Sequence, residues 1–140
     1  MNCQEDIDCL EAHLVDKYDV FVAYAYNDIN GCSETDKIIT INSRQKPQTR
    51  LYTMLHEAGH FLLCEEGDHR KRFPAIIYQP FKKQFTHANA VDVVRNEVLA
   101  WEEGRKLAVH LGIKIDEKRW NSLRKKCLYN YFKWAVGREI

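Results

Sequence analysis

His56-Glu57-Ala58-Gly59-His60 decides how this chain is read. It is an H-E-x-x-H pentapeptide. On a helix, positions i and i+4 lie on one face, so the two imidazoles can grip a single zinc ion. The intervening glutamate is then close enough to act on water held at the metal. A shuffled chain of this composition contains the pattern only about 2% of the time, so its placement on a helix carries weight. Pro47 suits the start of that helix, which runs to about Glu66 with Gly67 as its stop. Thr49, Thr53 and Cys64 share the stripe of His56 and His60. Leu51, Leu55, Ala58 and Leu62 form the core-facing side. Gly59 in a helix interior costs about 1 kcal/mol relative to alanine, which makes sense where another backbone or a ligand must come close.

Outward from the pentapeptide the pattern alternates between helix and strand. Residues 4–17 read as a helix, with Ile7, Leu10 and Leu14 at helical spacing. Residues 20–26 are rich in strand formers, 27–31 carry turn chemistry, and 37–42 read as a second strand. The stretch 68–87 has no period and holds Pro74 and Pro80. A helix returns from about Ala88 to His110, ended by Gly112. A last helix spans about 116–136, with Asp116 as N-cap and Trp120, Leu123, Cys127, Tyr131 and Trp134 on one face. The expectation is one α+β domain over residues 1–140. A short sheet packs on the H-E-x-x-H helix and a downstream helix, with further helices at either end.

Composition narrows the function. A net charge of +1 gives no global field towards nucleic acid or membrane. No apolar run approaches the length of a bilayer span, and the acidic, polar N-terminus does not read as a signal peptide. Five scattered cysteines without a C-x-x-C pair suit reduced thiols better than a disulfide framework. The expected location is therefore the cytoplasm.

A catalytic zinc takes a third protein ligand and leaves a fourth position open. The choices are Glu97, Glu102, Glu103, Asp92, Cys64, His69 and His87. Glu97 stands out because it shares a helix face with Val93, Ala100, Trp101, Gly104, Ala108 and Leu111. A carboxylate in an apolar stripe needs a partner, and a metal cation is a natural one. An ion pair with Arg105 or Arg124 is the structural alternative, and a loop histidine is the main rival as ligand. Glu102 and Glu103 are accounted for by Lys106 at i+4 and i+3, Asp92 by the exposed first turns of its helix, and Cys64 as core filler.

Two strands, a helix with His56-Glu57-x-Gly59-His60, and a later helix with Glu97-x-x-Ala100 resemble the gluzincin-type zincin metallopeptidases. The likeness is greatest to the compact ImmA/IrrE-type domains and covers roughly residues 20–111. It implies a zincin-like fold, His56, His60 and Glu97 as zinc ligands, and Glu57 as general base. It also implies hydrolysis of peptide bonds in an intracellular protein, in the host cytoplasm if the chain is encoded by a phage or mobile element. The loop at 68–87 is longer, more basic and more aromatic than that family suggests. Tyr78, His69 and His87 are the candidates there for oxyanion donor, and the strand around 38–42 for an edge that a peptide substrate extends. Two other readings remain: a zinc-bound but non-catalytic interaction domain, and a nucleic-acid binder using the cations from Arg70 to Lys83. A protein or peptide partner is expected ahead of nucleic acid, and a membrane partner is not expected.

Overall fold

The computed structural model describes residues 2–26, 30–76 and 86–137. Their elements run α1 (Cys3–Tyr18), β1 (Phe21–Ala25), β2 (Gly31–Ser33), β3 (Ile38–Asn42), α2 (Pro47–Glu65), α3 (His69–Arg72), α4 (His87–Leu111) and α5 (Glu117–Val136). The architecture is α+β, as expected. Tyr78, Pro80, Phe81, Lys82, Lys83 and Phe85 of the basic stretch lie outside the described residues, as do Asn27 to Ile29 of the expected turn. No helix among the described residues is long and apolar enough to cross a membrane.

α1 begins with a capping box, in which the Asn2 side chain accepts from the Glu5 N–H and Glu5 reaches back to the Asn2 N–H. Ile7, Leu10 and Leu14 are buried, as their spacing predicts. β1 pairs in parallel with β3, from Phe21 opposite Ile38 to Ala25 opposite Asn42. β2 pairs antiparallel with β3, from Gly31 opposite Thr40 to Ser33 opposite Ile38. The strand order is thus β1-β3-β2. β2 was not anticipated, since Gly31-Cys32-Ser33 is poor in strand formers and its pairing is specified only by β3. It also corrects the expected substrate edge. The strand at 38–42 is central, and the edge beside α2 is β2. Val22, Ile39 and Ile41 bury one face of the sheet.

α2 is the central helix, with Leu51, Tyr52, Met54, Leu55, Ala58, Phe61 and Leu63 buried. Its largest interface is with α4. Two glycines permit that approach. A Cβ on Gly59 would lie 1.9 Å from the Ala100 carbonyl oxygen, and one on Gly104 would lie 2.4 Å from the Leu55 carbonyl oxygen. Both obstacles are backbone, which cannot swing aside. Gly59→Ala is therefore expected to cost about 1–3 kcal/mol or more through overpacking, outweighing the roughly 1 kcal/mol that alanine gains in helix propensity. Thermal unfolding checks it, and an unchanged or raised midpoint would overturn the account.

α5 is fixed at its start. The Asp116 side chain accepts from the Arg119 N–H at 3.2 Å, and the Asp116 N–H donates to the Tyr52 hydroxyl at 2.8 Å. Trp120 is buried edge-on against Tyr52 and Trp101. The far end differs from the expected apolar face, because Trp134 is 42% exposed. All five cysteines are free.

Candidate metal centre

α2 presents His56 and His60 one turn apart, and α4 brings Glu97 against them. His56 Nε2 lies 3.1 Å from Glu97 Oε2, and His60 Nε2 lies 2.9 Å from Glu97 Oε1. One ligand atom from each of the three side chains falls within 4.8 Å of the others. Glu97 is buried and no lysine or arginine pairs with it among the described residues. Arg105 instead pairs with Glu117, so the ion-pair alternative for Glu97 fails there. Two converging imidazole nitrogens and a buried carboxylate fit a divalent cation by both donor type and spacing.

The electrostatics follow from that enclosure. Burial alone would raise the Glu97 pKa, but the hydrogen bonds and charges of His56 and His60 outweigh it and hold the carboxyl far below its usual range. For His60 burial works downward, and Glu97 reverses it, so the imidazole pKa is raised. Glu57 lines the same space and is 8% exposed. Burial lifts its pKa against the opposing pull of His60 and His56, which suits a group that must take a proton and later release it.

Each imidazole is oriented by something the pentapeptide does not contain. His56 stacks on Trp101, with centroids 4.3 Å apart and planes inclined by 20°. His60 Nδ1 meets the Asn96 amide at 3.3 Å, and Asn96 also meets His69 Nε2 at 2.9 Å. As placed, the Asn96 NH2 donates to His60 Nδ1 and the amide oxygen accepts from His69 Nε2. A His60 that offers its Nε2 lone pair to a metal calls for the flipped amide, whose oxygen accepts from Nδ1–H.

The other sequence candidates lie elsewhere. His69 is buried on α3 in that chain through Asn96 and does not join the trio. His87 is the exposed first residue of α4 and does not line the cavity. Asp92, expected at the surface, is 7% exposed and accepts from the Ala75 N–H at 2.8 Å, because it anchors the turn before α4. Glu103 pairs with Lys106 at 3.2 Å as its spacing predicts. Burial first, then Glu34, pushes the Cys64 thiol up to about 12, and Cys64 stands apart from the trio. Of the loop cations, Arg72 is engaged by Glu66 at 2.7 Å.

The trio opens onto a cavity of about 490 Å³. Its walls come from β2 and the residues beside it (Asn30, Gly31, Cys32, Glu34), from α2 (Thr49, Thr53) and from α5 (Leu123, Lys126, Cys127, Asn130, Tyr131). Thr49 and Thr53 stand in the stripe of the two histidines, as read from spacing. The α5 residues were legible only as an apolar face. The Cys127 thiol donates to Glu97 Oε2 at 3.9 Å, and Tyr131, one turn further along α5, lines the same wall.

The family described as Peptidase_M78, IrrE N-terminal-like domain, matches residues 7–94. The match contains α2 and its pentapeptide and ends before Glu97 and α5. No curated protein and no solved structure matches the chain.

Proposed function

This chain belongs to the Peptidase_M78 family of IrrE N-terminal-like, zincin-like metallopeptidase domains, and on that premise we propose that it is a zinc-dependent peptidase acting on an intracellular protein. The observation that carries the reading is the meeting of His56, His60 and Glu97 at a cavity that Glu57 also lines. Two histidines and one glutamate are a donor set of catalytic zinc sites, which keep a position open for water and substrate. Zinc, when bound, makes water a stronger acid and polarises a carbonyl.

The chain's own groups supply the rest. His56 and His60 offer their Nε2 atoms, held by Trp101 and Asn96. Glu97 offers its carboxylate from α4. Glu57 takes the proton of the attacking water and delivers it to the leaving amine. β2 is an edge strand on the cavity wall, so an extended peptide laid along it gains main-chain hydrogen bonds.

Purified protein is expected to carry about one equivalent of zinc, as the single trio implies. Chelation should remove both the metal and cleavage of a mixed quenched-fluorescence peptide library, and added zinc should restore them. Zinc at a hundred times its dissociation constant should also stabilise the stripped protein by about 2.7 kcal/mol. A protein that holds no metal and shows no thermal shift with zinc would refute the reading.

A further inference from the structure

We propose that Tyr131 is the hydrogen-bond donor for the oxyanion that forms when a peptide carbonyl is attacked in this cavity. The proposal rests on the metallopeptidase reading and adds the group that reading lacks. Amide hydrolysis builds negative charge on the carbonyl oxygen, and a preorganised donor at that point lowers the barrier.

The donors expected from sequence do not serve. His69 is engaged with Asn96, His87 does not line the cavity, and Tyr78 lies outside the described residues. Two other polar groups of the wall are placed differently. Gln45 donates to Thr53 at 3.2 Å. Lys126 lines the space, and no hydrogen bond or ion pair joins it to His56, His60 or Glu97.

α5 differs. Cys127 and Tyr131 are one helical turn apart and share a face; the Cys127 thiol donates to Glu97, and both side chains line the cavity. A thiol is a weak donor, whereas a phenol is a good one that keeps its proton at neutral pH. Tyr131 therefore places a strong neutral donor on the cavity wall, one turn along from the thiol that meets Glu97. That hydroxyl stands on the wall of the cavity that the trio opens onto, where it can donate to an oxyanion. The helix is held for this task from its other end, where Trp120 is locked between Tyr52 and Trp101.

The test uses cobalt(II) in place of zinc and inorganic phosphate as a tetrahedral oxyanion, read by the visible cobalt spectrum rather than by activity. Tyr131→Phe should bind cobalt with wild-type stoichiometry and affinity, and bind phosphate roughly 10- to 100-fold more weakly, the worth of a hydrogen bond to a charged group. Tyr129→Phe, a phenol 61% exposed on the same helix, should match wild type in both. Equal phosphate affinity in Tyr131→Phe and wild type would overturn the proposal while leaving the metal site standing. A parallel loss of cobalt affinity would also overturn it, making Tyr131 a positioning residue for Glu97. Wild-type protein that takes up no cobalt would bring down the metallopeptidase reading and the proposal with it.

Discussion

Replacing Glu57 by glutamine is expected to leave the metal in place and to lower peptide hydrolysis by about 10²- to 10⁴-fold, the usual contribution of a general base. The substitution keeps size and shape, so it isolates the proton-accepting carboxylate. Glu57 is not one of the three side chains whose ligand atoms converge, so metal retention follows. Burial raises its pKa, and glutamine removes a carboxylate that is costly to bury. The variant should therefore fold at least as well as wild type. Metal analysis and cleavage of the peptide library, run side by side, check the prediction. Undiminished cleavage by the loaded variant would exclude Glu57 as the base. A metal-loaded wild type that cleaves nothing would favour an interaction domain that keeps the metal for structure.

Glu97→Ala is expected to reduce metal affinity by more than the roughly 10- to 100-fold that loss of an outer-shell partner costs, because the proposed function makes Glu97 a direct ligand. The buried charge that now pairs with both imidazoles goes as well. Glu97→Gln is the companion variant. It preserves the side chain's size and loses the charge. Titration against a chromophoric chelator reads both. Wild-type affinity in Glu97→Ala would move the third ligand elsewhere in the cavity, where the Cys127 thiol lies 3.9 Å from the Glu97 carboxylate. The family match stops short of Glu97, so this variant tests a residue that membership alone does not assign.

Local periodicity read much of the frame. Ile7, Leu10 and Leu14 bury as a helical stripe should. Pro47 starts α2, Asp116 caps α5, and Gly112 ends α4 at φ 71°. Each of these is settled within a turn or two of chain. Glu97 could be singled out because a carboxylate in an apolar stripe is costly without a partner. Gly59 could be read as a point of close approach for the same kind of reason, though not what approached. The misreadings share a cause. β2 is three residues whose strand character comes from β3. Asp92 looked like a surface acid until the Ala75 N–H closed over it. Tyr131 and Trp134 looked like one apolar face, yet one lines the cavity and the other is 42% exposed.

The sequence by itself determined that two imidazoles and a carboxylate would share one helix face, because 3.6 residues per turn is a property of the backbone alone. It also determined that a second carboxylate would have to find a cation. Only the tertiary structure decided that the two requirements meet. The distance between α2 and α4 is set where Gly59 and Gly104 let each helix rest on the other's backbone. That contact brings Glu97 to both Nε2 atoms, Asn96 to His60 and Trp101 to His56. The same holds for Tyr131, whose place on the cavity wall depends on the docking of Trp120 against Tyr52 and Trp101. Such positions come from packing between segments far apart in the chain, and no local period encodes them.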